Sequence, residues 1–256
     1  MTQWLSSNTH PSVYTKEHWL VDQIFKRTPT VNVTFINPGL FASAYFLNPE
    51  PIIQFGMMLD FGPNAPPSNE DIGAVAAYIL KDSAPHAGQI YRITGRDLLT
   101  STEMANVMGK VLGRKVRVQK MPEKMMLKAL RAGRFPIMDS SQLRYYVRDA
   151  QSGGFALNAP TNVVQEIVGR EADDFETITR RYLEGKSVVA QTFGNKMRAM
   201  INMMKVGFTP AWNMEKFEQE QGFPQFKHMR LSAESEEWRQ AHGVKKTSQP
   251  ELELRA

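Results

Sequence analysis

Val31-Asn32-Val33-Thr34-Phe35-Ile36-Asn37-Pro38-Gly39-Leu40-Phe41 sets the expected architecture of this chain. Its first six residues are β-branched or aromatic apart from one Asn, the composition of a strand buried on both faces. Asn37-Pro38-Gly39 then breaks the strand. Upstream, residues 17–27 place Trp19, Leu20, Ile24 and Phe25 on one face of a helix that Thr28-Pro29 ends. Downstream, residues 40–68 hold five Pro among aromatic residues, which predicts a long loop with one short helix. A long excursion after a buried strand is a common place to hold a substrate.

Farther along, Ser68 offers an N-cap to a helix whose apolar stripe is Ile72, Val75, Ala76 and Ile79. Residues 89–94 then read as a second strand, closed by Gly95. Strand, crossover helix and strand make the unit of a parallel α/β sheet. After Thr100 the pattern turns helical. Thr100 and Glu103 form a capping box for a helix to Leu112. A short alternating strand spans 115–120, and helices are expected over 122–133, 139–149, 161–169, 173–184 and 193–206. The last residues, 245–256, are polar and expected to fray.

The chain has 256 residues, 42% of them hydrophobic, and no Cys. It can bury a sizeable core, and disulfides, thiolate nucleophiles and Cys-ligated zinc are excluded. No run approaches a membrane span. Met1-Thr2-Gln3-Trp4 has neither the basic nor the apolar region of a secretory leader, so a cytoplasmic location is the expectation. Charge is uneven: residues 110–148 carry eleven Lys and Arg against Glu123 and Asp139, a local +9 within a chain of net +5. These basic residues interleave with Val, Leu and Met, which reads as solvated helix faces. No zinc finger, homeodomain or RNP-type pattern accompanies them, so nucleic acid is not expected as a partner.

Several motifs are absent. The five His lie at 10, 18, 86, 228 and 242, with no HExxH and no i, i+4 pair, so no metal site is expected. No Gly-x-Ser-x-Gly elbow occurs. Gly109-Lys110-Val111 lacks the rest of a Walker loop.

What remains is an ordered series. His10-Pro11-Ser12-Val13-Tyr14-Thr15-Lys16-Glu17-His18-Trp19-Leu20 leads into the first helix, and the first strand ends in Ile36-Asn37-Pro38-Gly39-Leu40-Phe41. Then follow Asn69-Glu70-Asp71-Ile72-Gly73, Tyr91-Arg92-Ile93-Thr94-Gly95, Leu99-Thr100-Ser101-Thr102-Glu103-Met104-Ala105, Leu112-Gly113-Arg114-Lys115-Val116 and Val168-Gly169-Arg170-Glu171-Ala172-Asp173-Asp174-Phe175. In order and spacing they resemble the C-terminal two-thirds of an NmrA-like protein, an atypical branch of the short-chain dehydrogenases, over roughly residues 8–184.

The resemblance implies an α/β fold: a partial Rossmann-like parallel sheet over 1–98, a mostly helical substrate lobe over 99–185, and a helical extension over 186–256. It also implies an NADP or NAD cofactor and a small-molecule substrate. One departure matters. No Gly-x-Gly-x-x-Gly occurs anywhere in the chain. That turn lets the backbone approach a pyrophosphate at a helix N-terminus, so the chain is expected to lack the Gly-rich nucleotide-binding half and to bind dinucleotide weakly. Sheet edges left by missing strands predict a protein partner or self-association.

The resemblance also proposes site residues. Lys16 matches a position where relatives place a Lys near ribose and nicotinamide, and Tyr14 is the matching candidate proton donor. A phenol needs a nearby cation to bring its pKa of about 10 toward neutrality. Typical relatives space the pair as Tyr-x-x-x-Lys, whereas His18 is the fourth residue after Tyr14; the alternative is a packing Tyr and a surface Lys. Asn37, Pro38 and Gly39 match a turn that meets the nicotinamide amide, or simply end a strand. Phe41 and Tyr45 line the substrate pocket or pack the core. Met197, Met200, Ile201 and Met204 form a helical stripe expected to dock on the lobe, with a membrane-surface helix or an adaptable partner groove as the sharper readings. The expected function is an oxidoreductase using NAD(P)H, with a dinucleotide-sensing or partner-binding regulator as the alternative. A shortened product without cofactor binding is the third reading.

Overall fold

A computed structural model describes residues 1–47, 49–223 and 228–244. The expected frayed tail over 245–256 lies outside them. Helix α1 (Val13–Lys26) starts where Ser12 Oγ accepts from Thr15 N–H. Strand β1 (Phe35–Ile36) follows, then α2 (Glu50–Phe55), β2 (Met57–Leu59), α3 (Asn69–Lys81) and β3 (Ile90–Tyr91). Next come α4 (Ser101–Leu112), β4 (Arg117–Gln119), α5 (Glu123–Ala132) and α6 (Ile137–Gln151). Helices α7 (Val163–Val168), α8 (Phe175–Leu183), α9 (Phe193–Phe208), α10 (Met214–Glu220) and α11 (Glu236–Ala241) complete the described chain.

The fold is α/β with short parallel sheets and a helical remainder, as expected. β1 pairs in parallel with β3, Phe35 opposite Ile90 and Ile36 opposite Tyr91, and α3 makes the crossover. The signals for α3 and α4 hold in atomic detail. Ser68 Oγ accepts from Asp71 N–H, and both halves of the Thr100–Glu103 capping box are formed. α3 buries Ile72, Val75 and Ile79 against Ile93, Val163 and Val164, each side chain contributing about 1.5–3 kcal/mol of burial.

Three sequence expectations need correction. The strand is not buried from Val31 to Ile36: only Phe35 and Ile36 pair, while Val31 and Asn32 are exposed. β-branched residues form a strand only where a neighbour takes up their main-chain groups. In α1 the buried residues are Thr15 and Asp22, whereas Leu20, Val21, Ile24 and Phe25 face solvent. Residues 40–68 are more ordered than a loop with one helix. They hold a 3-10 turn over Ala42–Phe46, then α2, and then β2, which pairs in parallel with β4. Gly56 permits that second sheet, because its left-handed backbone (φ 63°) closes α2 and a Cβ there would stand 2.5 Å from Lys115 O.

The larger core draws on all three expected parts. Trp4 and Leu5 from the N-terminal segment pack with Met104, Met108, Phe155, Phe175 and Trp238. Hydrogen bonds tie this segment down: Thr2 N–H donates to Ile36 O on the outer edge of β1, Trp4 Nε1–H to Gly154 O, and Thr2 and Ser6 hydroxyls to Asp22.

Candidate functional site

Parallel strands end together, so the residues following them gather at one edge, the edge where open α/β sheets hold ligands. Here those residues are Asn37, Pro38 and Gly39 after β1 and Arg92 after β3. All four are buried. The Arg92 guanidinium lies over the Trp4 ring, 4.2 Å from its centroid, and donates to Phe155 O at 3.0 Å and to Asn37 O at 3.5 Å. Burial without a carboxylate pulls its pKa down to about 9. Gly39 also lies against it, where a Cβ would come within 2.9 Å of Arg92 Nη1. The Pro-Gly turn therefore makes room for a buried cation.

Beside Asn37 opens a cleft of about 170 Å³ walled by α1 (Trp19, Asp22, Lys26), Phe35, the N-terminal Ser6 and Ser7, and α11 with His242. Ligand pockets commonly enclose roughly 300–1,000 Å³, so this cleft is smaller than a typical whole-ligand site. Its back is aromatic: His242 stacks on Trp238 with centroids 4.3 Å apart, and Trp4 meets both rings edge-on. Burial holds the His242 pKa down. Two residues of this wall carry buried polar atoms that make no hydrogen bond within the described residues: Asn37 Oδ1, an acceptor, and Trp238 Nε1–H, a donor. Such atoms usually find a partner.

The expected site residues do not converge. Asn37 lines the cleft, whereas Pro38 and Gly39 are buried outside its lining. Tyr14 lies on α1, its hydroxyl donating to Asp139 at 2.7 Å, and this carboxylate pushes the phenol up to about 12. Lys16, about 200° around the helix from Tyr14, is partly buried, which lowers its pKa. Phe41 packs against the α3 core. Tyr45 is enclosed in the larger core, edge-on to Phe61 and Phe175, its oxygen accepting from Asn64, and burial raises its pKa.

A buried polar seam went unforeseen. Ser12 N–H donates to His10 Nδ1, so Nε2 carries the proton and donates to Asp149 at 2.9 Å. Ser12 Oγ and Val13 N–H donate to Gln142 Oε1, and Gln142 donates to Ser141, which donates to Glu218. Glu218 also holds Arg144 at 2.7 Å. The cleft residues Trp238 and His242 were missed too; a lone Trp in a polar C-terminal stretch was the available signal. Among the described residues there is no group of His, Asp and Glu that could hold a metal and no helix long and apolar enough to cross a membrane.

No family model and no curated protein matches the sequence. Solved structures do. An NADPH-dependent quinone oxidoreductase of Escherichia coli superposes with TM-score 0.59 at 21% identity, over 70% of this chain and 65% of its own. A nucleoside-diphosphate-sugar epimerase of Staphylococcus aureus gives TM-score 0.59 at 10% identity, over 70% and 62%. A Citrobacter sp. triphenylmethane reductase complexed with NADP(H) gives 0.57 at 17%, over 71% and 64%. The likeness is one of fold, and the match spans just under two thirds of the length of each of these proteins.

Proposed function

We propose that the chain forms the nicotinamide- and substrate-side portion of an NAD(P)-dependent oxidoreductase of NmrA-like type, working in the cytoplasm on a small organic substrate. The observation that carries this reading is the cleft at the carboxyl edge of β1, whose wall holds one buried acceptor and one buried donor without partners. A carboxamide has the complementary pair. Asn37 would take its amino hydrogens and Trp238 its carbonyl oxygen. When bound, the reduced nicotinamide supplies a hydride. Trp19, Phe35 and Trp238 would keep water from the ring, and Lys26 would set the polarity of the mouth.

The fit stops at that end. The sequence contains no Gly-rich turn to cradle a diphosphate. In this reading, residues 1–98 supply the sheet edge, 99–185 the substrate lobe with Phe41 and Tyr45 at its base, and 186–256 the wall at Trp238. The outward apolar face of α1 (Leu20, Val21, Ile24, Phe25) is where the first half of a Rossmann sheet would pack in this reading. Either NADP or NAD satisfies the carboxamide chemistry.

Trp19 and Trp238 make binding visible. Reduced nicotinamide mononucleotide and NADPH should quench tryptophan fluorescence saturably at millimolar concentration, and ADP-ribose should not. Asn37→Leu should remove the response. Absence of saturation with both nicotinamides would overturn the reading. A dinucleotide-sensing regulator is the second reading, and Tyr14 favours it: a phenol held near 12 by Asp139 is a poor proton donor at neutral pH. Binding without NADPH consumption across a panel of quinones and dyes would select it.

A further inference from the structure

Helix α9 is docked by the wrong face for an ordinary amphipathic helix. Asn195, Ala199, Asn202 and Val206, spaced by four, three and four residues, form the inner stripe. Asn195 donates to Ser187 O and Ala190 O, Asn202 donates to Glu50, and Ala199 is the buried residue of the helix. The opposite stripe is apolar and exposed: Phe193 (79%), Met200 (44%), Ile201 (46%), Met204 (54%) and Phe208 (83%). Of the Met stripe expected to dock on the lobe, Met197 is half-buried, whereas Met200, Ile201 and Met204 stand exposed. Met200 and Met204, with Met203, Met57 and Phe55, line an open apolar groove.

Basic residues outnumber acidic ones around α9, where Glu50 pairs with Arg198 at 3.1 Å. From Lys186 to Met214 there are four basic residues and no carboxylate, and from Arg114 to Arg134 eight basic residues against Glu123 alone. The two stretches meet, since Lys128 donates to Gly207 O and Arg131 to Pro210 O. Arg117 stands in register with Met57 of the groove. Lys196 and Lys205 flank the apolar stripe and are exposed. Outside these two stretches, 19 basic residues face 25 acidic ones. The net positive charge of the chain thus comes from the two stretches that meet at the C-terminal end of α9.

We infer that α9 is a membrane-surface helix, and that its Met and Phe face with its Lys and Arg rim seats the protein on an anionic lipid bilayer. An interfacial helix needs an apolar face to enter the acyl boundary and a basic face for the headgroups. A second copy fits less well, because joining two such faces would set like charges against each other.

The test is co-sedimentation of the full chain with vesicles of phosphatidylcholine alone or with about 30% phosphatidylglycerol. Binding to the anionic vesicles is expected, at least tenfold weaker on neutral ones and weakened by 0.5 M salt. Each basic residue at a bilayer surface is worth about fivefold in affinity, so Lys196→Ala with Lys205→Ala should cost about 25-fold. Met204→Glu with Phe208→Glu should abolish binding, with an unchanged far-UV circular dichroism spectrum. Phe193→Ser, at the other end of the face, should weaken it. No binding to anionic vesicles overturns the inference, as does binding that survives Met204→Glu/Phe208→Glu. Concentration-dependent dimerisation lost in the same variant, without vesicle binding, would assign the face to a second copy and also overturns it.

Discussion

Gly39→Ala tests whether the Pro-Gly turn exists to admit Arg92. The new methyl carbon would stand 2.9 Å from Arg92 Nη1 and 3.2 Å from Nη2. Nonbonded contacts of this kind relax near 3.5 Å, so roughly half an ångström must be found. The Gly39 backbone lies outside the left-handed region, so Ala adds no backbone strain. The guanidinium cannot retreat freely, because the Trp4 ring lies 4.2 Å from it and its bond to Phe155 O is already 3.0 Å. Overpacking costs typically about 1–3 kcal/mol, and weakening a hydrogen bond from a charged group lies in the same range. We expect a loss of about 2 kcal/mol in urea unfolding followed by circular dichroism. The cycle with Arg92→Ala carries the argument. In that background the methyl meets space, so Gly39→Ala should cost less than about 0.5 kcal/mol, leaving a coupling of about 1.5 kcal/mol. Equal losses in both backgrounds would refute the steric account of Gly39.

The His10–Asp149 pair should respond asymmetrically. His10→Ala leaves a buried carboxylate without its partner and should cost about 3–5 kcal/mol; Asp149→Asn keeps an acceptor for His10 Nε2–H and should cost about 1 kcal/mol. Burial holds the Asp149 carboxyl above its ordinary 3.8, so the native state binds that proton more readily than the unfolded chain. Its contribution to stability is present below 3.8 and lost as pH rises through the folded value. His10 opposes this rise, so the deficit of His10→Ala in urea melts should narrow on acidification; a deficit that widens would contradict the assignment. Asp139→Asn should let the Tyr14 phenol fall from about 12 toward 10.0, since the Asp139 hydrogen bond is the largest cause of the shift. Ultraviolet titration against Tyr14→Phe reads this, and an unmoved phenol would reject it.

What was legible in the sequence was local. Ser68 and Thr100 sit at helix starts where their side chains satisfy main-chain groups within a few residues, and such chemistry is written in spacing. Burial was less legible. Val31, Leu20 and Ile24 have the composition of interior residues, yet their exposure depends on what stands beside them. Pattern reports the tendency of a face to be covered and cannot name the cover. The candidate site was half legible: Asn37 and Gly39 were marked by the turn after a strand. Their companions Trp238 and His242 come from a distant helix, and the His10–Asp149 pair joins positions 139 residues apart, a separation with no motif.

Residues 4–10 are held by partners far along the chain. Trp4 bonds across 150 residues, His10 across 139 and Leu5 across 227, to Ser232. Contacts of such separation carry a loop-closure entropy that local contacts do not. The seating of Trp4 and Leu5 in the larger core is therefore coupled to residues 149–154 and to Ser232, and loosening any one of these weakens the hold on the others.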